Sequence, residues 1–502
     1  MASLRNSVGK LWRQASCRYK STAAPHAAST NSLPEMPPCD FKPQVHKGKS
    51  KEEILKIRKD NLIPGLLTFY KDPVYVHQGH MQYLWDTSGK RYLDLFAGIV
   101  TVSVGHCHPK VTAAAEEQMR KLWHTTNIYL HPQIHDYAEK LTSKLPGKLK
   151  IVYLTNSGSE ANDLALFMAR LYTGVFDAVS LRNGYHGASP YMMGVTAISS
   201  WRYNTPTGFG IQQAMNPDVF RGPWGGAHCR DSPGQTIRPC DCPEGTCQAC
   251  DNYVDQLDDV LKHSLPKDKC GAFFAESIQG VGGAVQLPKD YLKKAYELVR
   301  ARGGVCISDE VQTGFGRLGS HYWGFEAAGV VPDMVTMAKG MGNGYPMGAV
   351  VTTPEIAAVM GKALHFNTFG GNPVASAVGS AVLDVIDEDG TQAISADVGT
   401  YFLEELVKLR DEYEVVGDVR GKGLMIGVEM VKDKASRKPL PAEDMSAIWE
   451  DTKDMGVLFG KGGLYGNCFR IKPPMCITRA DTDFAIGVMR AALDNYTKGK
   501  SV

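Results

Sequence analysis

The chain has 502 residues, of which 43% are hydrophobic and 22% are charged, and its 55 basic residues nearly balance 53 acidic ones. This composition is typical of globular proteins, and the length predicts at least two domains. A formal net charge of +2 provides no global field that would attract nucleic acid. Charge-free stretches such as 183–201 and 365–383 contain several polar residues and a proline each, which disfavours a membrane span. We therefore expect neither nucleic acid nor a membrane as a partner.

The N-terminal 34 residues differ from the rest in being basic and rich in Ser and Ala, with no acidic residue before Glu35. Four apolar residues fall on one helical face of this segment, and basic residues surround them: Leu4, Val8, Leu11 and Trp12. This pattern is typical of a mitochondrial transit peptide, because a secretory signal would contain a continuous apolar stretch. We predict that residues 1–40 direct the protein to the mitochondrial matrix; a disordered basic tail is the alternative.

The next elements predict an α/β protein. A helix and a meander of short strands precede residue 110, and helical stretches then alternate with short apolar runs that show no polar alternation. Such runs are typical of strands covered on both faces, so we predict a mostly parallel sheet. The runs are residues 150–155, 271–276, 303–310 and 333–339.

The domain boundaries follow from these changes of pattern. We predict an N-terminal segment (41–109) that packs with a small domain, a large domain (110–385) and a smaller C-terminal α+β domain (386–502). Within the large domain, residues 204–252 have weak periodicity and many turn residues. We predict that they form a long excursion from the α/β core, and such loops are often functional.

Three strand ends carry residues that could act together. Gly158 and Ser159 follow the first run and open a helix, whose N-terminus is a potential phosphate site or only a well-capped helix end. Asp309 ends an apolar run, so its carboxylate needs a partner; a protonated ring nitrogen, an arginine or a helix N-terminus would each serve. Lys339 ends another run and precedes several glycines, so it is either a solvent-exposed strand end or a desolvated amine that binds a carbonyl compound covalently.

Ligands bind at the carboxyl ends of strands in open α/β sheets, which favours one site that contains all three features. A phosphate cradle, an anion for a ring nitrogen and a reactive amine together match pyridoxal 5'-phosphate. In this interpretation Lys339 holds the cofactor aldehyde and later transfers a proton as general base and acid. Asp309 keeps the pyridine nitrogen protonated, and the turn at Gly158 and Ser159 holds the phosphate.

From about residue 60 to the C-terminus the chain resembles the class III, ornithine/GABA-type aminotransferases of fold type I. The matching motifs occur in the family's order and form a specific set: NSGSEAND, NGYHGAS, AESIQGVGG, ISDEVQTGFGR, MVTMAKGMGNGYPMGAV and FNTFGGNP. The resemblance implies a pyridoxal-phosphate enzyme whose large domain contains a mostly parallel seven-stranded sheet. It also implies a smaller α+β domain at the C-terminus.

The resemblance implies roles for four further residues. Tyr185 would stack on the pyridine ring, and Gln312 would hydrogen-bond to the ring hydroxyl. Thr368 would reach the phosphate of the neighbouring subunit's cofactor, which implies a homodimer or homotetramer. Arg470 would bind the substrate carboxylate through its planar guanidinium group.

One motif departs from the family. Ornithine- and GABA-type members usually have E-P-I-Q-G-E, whereas this chain has Glu276 at the first acidic position and Val281 at the second. Val281 cannot neutralise Arg470, so we expect substrates with a carboxylate near the amine. These are L-alanine or a short β-amino acid such as β-aminoisobutyrate as donor, and glyoxylate or pyruvate as acceptor. The alternatives are an ω-aminotransferase, a phospho-lyase that acts on a phosphorylated amine, or a non-catalytic mitochondrial protein with the same fold.

Five of the twelve cysteines cluster in the excursion, between Cys229 and Cys250. The spacing Cys240-x-Cys242-x4-Cys247-x2-Cys250 contains one metal-like pair, but its other pair is tighter than usual for zinc. A reducing compartment disfavours disulfides. We therefore predict reduced thiols and no metal, with a structural zinc ion as the alternative.

Overall fold

A computed structural model describes residues 35–206, 208–240, 242–243 and 247–499. Most of the predicted transit peptide, residues 1–34, lies outside this described part. The helices of the described residues are α1 (Lys51–Asn61), α2 (Ala97–Val100), α3 (Pro109–Lys121), α4 (Pro132–Thr142), α5 (Gly158–Thr173), α6 (Gln248–His263), α7 (Tyr291–Ala301), α8 (Gly324–Ala327), α9 (Pro354–Ala357), α10 (Pro373–Glu388), α11 (Thr391–Glu412), α12 (Ala442–Asp454) and α13 (Arg479–Gly499).

The strands of the same residues form four sheets. They are β1 (Val76–His80), β2 (Tyr83–Asp86), β3 (Arg91–Asp94), β4 (Ile151–Thr155), β5 (Ala178–Leu181), β6 (Ile211–Ala214), β7 (Ala272–Glu276), β8 (Ile278–Gln279), β9 (Val285–Gln286), β10 (Val305–Asp309), β11 (Met334–Met337), β12 (Gly348–Thr352), β13 (Val416–Lys422), β14 (Met425–Met430), β15 (Val457–Leu458), β16 (Gly460–Gly462) and β17 (Cys468–Ile471).

The large sheet has seven strands in the order β4-β12-β11-β10-β7-β5-β6. Only β12 runs against its neighbours, which confirms the prediction of a mostly parallel seven-stranded sheet. Every residue of β7, β10, β11 and β12 is buried, since helices cover both faces of the sheet. Helix α5 packs over β11 and β12, and α7 packs over β7 and β10.

The register of this sheet places three site residues side by side. Asp309 at the end of β10 is paired with Glu276 at the end of β7. On its other side Asp309 is paired with Thr336 of β11, three residues before Lys339. Strand β6, which lies inside the predicted excursion 204–252, forms the edge of the sheet beside β5.

The remaining sheets connect distant parts of the chain. The N-terminal meander β1-β2-β3 is extended by β15, which pairs in parallel with β3. The C-terminal sheet has the order β13-β14-β17-β16, and α11 packs on β13. Strand β17 places Arg470 opposite Gly427 of β14. Within the described part of the chain, no helix combines the length and apolar character that a bilayer crossing requires.

Candidate active site

A cavity of about 140 Å³ lies at the carboxyl ends of the large-sheet strands. The strand ends of β4, β7, β10 and β11 converge there, as expected for an open α/β sheet. Six of the eight residues predicted from the strand ends and the resemblance line it: Gly158, Ser159, Tyr185, Asp309, Gln312 and Lys339. Glu276 lines it too, together with residues not singled out from the sequence, namely Ser157, Asn162, His186, Gly187 and Val311.

The turn between β4 and α5 forms one end of the cavity. Ser157 is the N-cap of α5, and its side chain accepts a hydrogen bond from the Glu160 amide. Gly158 and Ser159 therefore begin the first helical turn, whose backbone N–H groups have no partner within the helix. A Cβ atom at Gly158 would lie 3.1 Å from a Val311 methyl group, so the close approach of this turn to the strand after β10 favours glycine. The geometry suits an anion such as a phosphate group.

Asp309 is 3% exposed and lines the same cavity. Its Oδ2 accepts hydrogen bonds from His186 Nδ1 at 2.8 Å and from Asn162 Nδ2 at 2.9 Å. The Val311 amide donates to Oδ1 at 3.1 Å. The buried carboxylate is thus partnered by a histidine rather than by an arginine or a helix N-terminus.

His186 is the main residue that the sequence reasoning missed. It is 2% exposed, and its backbone is held by Asn162, which donates to the His186 carbonyl, and by Thr196 Oγ1, which accepts from the amide. Burial alone would lower the pKa of His186, but the hydrogen bond and charge of Asp309 raise it above the ordinary value. In its protonated form the imidazole stabilises the Asp309 carboxylate. The only sequence signal was its place beside Tyr185 in the matching motif.

Glu276 ties two loops of the cavity together. Its Oε1 accepts from the Tyr185 amide at 3.0 Å, and its Oε2 accepts from the Gly280 amide at 2.7 Å. Burial raises the pKa of Glu276, and the charge of Asp309 raises it further, against the opposing effect of His186. Glu276 thus holds the Tyr185 loop against the β7–β8 turn.

Lys339 follows β11 and begins a short 3-10 helix (Lys339–Gly342). Its φ of 48° places a non-glycine residue in the left-handed region, which is uncommon and often marks functional sites. Burial lowers the pKa of Lys339 to about 8, although the nearby carboxylates of Asp309 and Glu276 favour the charged form. A substantial fraction of the amine is therefore neutral near physiological pH, as a nucleophile or general base requires.

Gln312 is fixed by a lysine that the sequence reasoning did not consider. Lys472 is completely buried and donates to Gln312 Oε1 at 2.9 Å and to the Gly280 carbonyl at 3.0 Å. Burial and the positive charges of Arg470 and Lys339 lower the pKa of Lys472 well below its ordinary value. Because the Gln312 oxygen accepts from Lys472, its amide NH2 group is left to donate to a ligand.

Arg470 is 4% exposed and lies beside the cavity on β17. Its Nη2 donates to the Lys461 carbonyl, and its guanidinium group stacks 4.9 Å from the centre of the Phe96 ring. Its Nε and Nη1 atoms are buried with no hydrogen-bond partner among the described residues. Burial lowers the pKa of Arg470 to about 10, so it remains a cation at neutral pH.

Val281 and Thr368 complete the residues predicted from the resemblance. Val281 is buried, and its carbonyl accepts a hydrogen bond at 3.1 Å from the amide of Gly463, the residue directly after β16. Thr368 does not line the cavity and is exposed. Its neighbour Asn367 accepts a hydrogen bond from Asn156, which directly precedes Ser157 at the phosphate-binding turn. The Thr368 segment thus lies next to the cavity of its own chain without entering it.

The described residues fit pyridoxal phosphate. The cavity offers helix N–H groups for a phosphate and the buried Asp309 carboxylate for a ring nitrogen. Lys339 presents a desolvated amine to the same cavity, and Arg470 has two unpartnered donors for a carboxylate. The seven-stranded sheet and this site define the pyridoxal-phosphate-dependent transferase fold of type I.

Comparison with known proteins agrees with this assignment. The family model for class III aminotransferases matches residues 70–493. The chain is 56% identical to the mitochondrial alanine–glyoxylate aminotransferase 2 of Homo sapiens, over 94% of this chain and 92% of the human one. The chain therefore belongs to the class III aminotransferases, and its cofactor is pyridoxal 5'-phosphate.

Solved structures show the same fold. A phospholyase from Arthrobacter, in complex with phosphoethanolamine, superposes with a TM-score of 0.79 at 33% identity, covering 88% of this chain and 99% of that one. An amine transaminase from an uncultivated Pseudomonas species, in a pyridoxal-phosphate-bound form, gives a TM-score of 0.77 at 29% identity, covering 92% and 100%.

Proposed function

We propose that this aminotransferase transfers the amino group of L-alanine, or of a short β-amino acid such as β-aminoisobutyrate, to glyoxylate or pyruvate. The observation that carries the proposal is the buried Arg470, whose Nε and Nη1 have no partner among the described residues. The apolar Val281 stands where ornithine- and GABA-type relatives have a glutamate that would neutralise this arginine. The name of the human relative supports alanine and glyoxylate as substrates.

Bound pyridoxal phosphate supplies an electron sink for the bond that breaks at the substrate Cα. Asp309, which accepts a hydrogen bond from His186, would provide the negative charge that favours a protonated ring nitrogen. Lys339 Nζ would accept the proton from the substrate Cα and later give it up again as a general acid, which its low pKa permits near neutral pH. Arg470 would orient the substrate by binding its carboxylate through the guanidinium charge and its free N–H donors. The donor and the acceptor use this one site in turn, so we infer a ping-pong sequence of two half-reactions.

The second candidate is a phospho-lyase, which the similarity to the Arthrobacter phospholyase favours. A lyase would release ammonia and phosphate from a phosphorylated amine and would need no 2-oxo acid. An ω-aminotransferase of the ornithine or GABA type is a third possibility within the same fold. The free donors of Arg470 favour a substrate with a carboxylate near its amine over both alternatives.

We also infer that the enzyme is a homo-oligomer, a dimer or a tetramer, located in the mitochondrial matrix. Large apolar side chains are exposed around the Thr368 segment, including Leu364, Phe366 and Phe369. Trp123 and residues 128–130 are also exposed. They belong to the same surface, since the ring centres of His124 and Phe369 are 5.5 Å apart. A patch of this size usually marks an interface. A second copy on this patch would bring its Thr368 towards the phosphate-binding turn.

The test is the visible spectrum of the holoenzyme, recorded after single amino acids are added without any oxo acid. We expect the absorption of the lysine-bound cofactor to bleach with L-alanine or β-aminoisobutyrate, to stay with ornithine, and to return with glyoxylate. Bleaching by ornithine alone would overturn the short-substrate assignment. Release of ammonia and phosphate from phosphoethanolamine without an oxo acid would support the lyase instead.

Val281→Glu tests the specificity argument directly. The new carboxylate would compete for Arg470, so we expect kcat/KM for L-alanine to fall at least about tenfold, equivalent to about 1.4 kcal/mol of transition-state binding. Val281→Gln is the matched control, because it has a similar size without the charge. An unchanged preference for alanine over ornithine in Val281→Glu would contradict the role of this position.

A further inference from the structure

Three cysteines of the excursion meet in space although they are scattered in sequence. The Sγ atoms of Cys229, Cys240 and Cys242 all lie within 4.8 Å of one another, and those of Cys229 and Cys240 are 3.5 Å apart. Thiolates that bind one tetrahedral zinc ion at 2.3 Å are roughly 3.8 Å from each other. The three thiols therefore already have the spacing of a zinc site.

The structure brings Cys229, rather than Cys250, next to Cys240 and Cys242. Cys229 joins the group because residues 226–240 turn back on themselves: the Ala227 amide donates to the Arg238 carbonyl at 2.9 Å. A Cβ atom at Gly226 would lie 2.5 Å from Cys240 Cβ, so the two arms of the turn are in direct contact. Cys250 lies one turn into α6, is 2% exposed and belongs to the hydrophobic core.

Cys247 is the nearest candidate for a fourth ligand. It is the N-cap residue of α6, and its Sγ lies 3.8 Å from the Cys229 carbonyl oxygen. The N-terminus of this 16-residue helix places its positive end beside the sulfurs. Cys247 therefore lies next to the group of three thiols, where a tetrahedral site needs its fourth ligand.

Backbone amides support negative charge on this cluster. The Cys242 amide donates to Cys240 Sγ at 3.4 Å, and the Gln248 amide donates to Cys242 Sγ at 3.3 Å. Hydrogen bonds of this kind orient and stabilise metal-bound ligands.

We propose that Cys229, Cys240, Cys242 and Cys247 bind one Zn²⁺ ion in a tetrahedral structural site. Binding forms four zinc–sulfur bonds and releases the four thiol protons to solvent. The ion joins the segment before Arg230, which is anchored on β13, to the first turn of α6. This proposal takes up the structural zinc ion that the sequence left open as the alternative to reduced thiols without metal.

Metal analysis of the full chain, expressed with zinc and purified without chelator, tests the site. We expect about one zinc ion per chain in the wild type and less than about 0.2 in Cys229→Ser, Cys240→Ser, Cys242→Ser and Cys247→Ser. Cys250→Ala is the matched control, because the sequence spacing alone would make it a ligand; it should keep the full zinc content. Zinc retained in Cys242→Ser, or lost in Cys250→Ala, would overturn the ligand assignment.

A cysteine variant that misfolds would also lose its zinc. The second test therefore counts reactive thiols in the wild-type protein alone. Holoenzyme treated with a strong chelator should expose four additional thiols to a thiol reagent, and added Zn²⁺ should protect them again. Protein that contains no zinc and neither binds nor is protected by added Zn²⁺ would refute the proposal. A mass lower by about 2 Da per pair of cysteines would instead reveal disulfides and refute it equally.

Discussion

At the residue scale, Lys339 connects burial with chemistry. An ordinary lysine has a pKa near 10.4, whereas burial lowers that of Lys339 to about 8. We predict that the rate at which the apoenzyme binds pyridoxal phosphate covalently rises about tenfold per pH unit below pH 8 and levels off above it. Only the neutral amine attacks the aldehyde, and its fraction stops growing above the pKa. Stopped-flow absorbance between pH 6 and about 10 measures this profile.

A lysine-containing model peptide is the control for the Lys339 profile. Its amine has no desolvation to lower the pKa, so its rate should keep rising through pH 10. An apoenzyme whose rate also rises tenfold per unit up to pH 10 would show that Lys339 is not desolvated.

Lys472 acts on the site through Gln312. We predict that Lys472→Met weakens binding of pyridoxal phosphate to the apoenzyme about tenfold, because Gln312 loses the partner that orients its amide. Thermal stability should fall little or even rise, since a buried lysine with a strongly lowered pKa is costly to desolvate. Fluorescence titration of the apoenzyme gives the affinity, and calorimetry gives the stability.

A double-mutant cycle separates positioning by Lys472 from a general structural role. If Lys472 acts through Gln312, Lys472→Met should have little further effect on cofactor affinity in a Gln312→Ala background. Additive losses of affinity, or a large fall in stability for Lys472→Met alone, would contradict the positioning role.

The sequence reveals those site residues whose local context is unusual. Asp309 and Lys339 each end an apolar run and each has an ordinary structural explanation, but together with the turn at Gly158 they match one cofactor, so they could be predicted before any fold was known. His186 and Lys472 could not, because their significance depends on contacts with residues 123 and 160 positions away. The sequence around each of these two residues shows no unusual pattern. Only the packing of separate elements brings them to the site.

At the element scale, the excursion is anchored to the C-terminal sheet by a buried ion pair. Arg230, 1% exposed, binds both carboxylate oxygens of Asp418 on β13, at 2.8 and 2.9 Å. Its guanidinium group also donates to the carbonyls of Gly234 and Val419. Arg420 pairs with the same aspartate at 3.0 Å. These contacts link the turn that carries Cys229 to the sheet that carries Arg470.

We predict that Arg230→Met lowers the free energy of unfolding by about 3–5 kcal/mol, because it leaves the Asp418 carboxylate buried with half of its partners. Arg490→Met is the matched control: its pair with Glu412 is solvent-exposed, so the loss should be under about 1 kcal/mol. Urea denaturation of the holoenzymes measures both. Equal effects of the two substitutions would show that the Arg230 pair contributes no more than a surface pair.

Elements were predictable where their pattern was long and locally consistent. β4, β7, β10 and β11 could be found as apolar runs, whereas β5 and β6, of four residues each, lie among turns and give little signal. The edge strand β6 consists of Ile211–Ala214, and its two glutamines hide it within the polar stretch 204–252. Its pairing with β5 is a tertiary interaction, and propensity alone does not reveal it.

At the scale of the whole molecule, the site is incomplete within one chain if Thr368 serves the neighbouring subunit. Thr368 is exposed and outside the cavity, on the apolar surface that also includes Phe366 and Phe369. Two classes of variant can therefore be distinguished. Lys339→Ala destroys the site of its own chain, whereas Thr368→Ala would weaken the site of the partner.

Hybrid oligomers made from these two variants test the arrangement. A hybrid dimer would contain one site that lacks both groups and one site that has Lys339 from its own chain and Thr368 from the other. We therefore mix Lys339→Ala with Thr368→Ala subunits at limiting pyridoxal phosphate. We predict that each hybrid dimer regains up to about half of the wild-type activity, because one of its two sites is intact. If Thr368 acted within its own chain, no hybrid site would be complete and mixing would restore nothing. Differently tagged subunits, purified in sequence after refolding together, give the hybrid whose activity and cofactor content decide between the two arrangements.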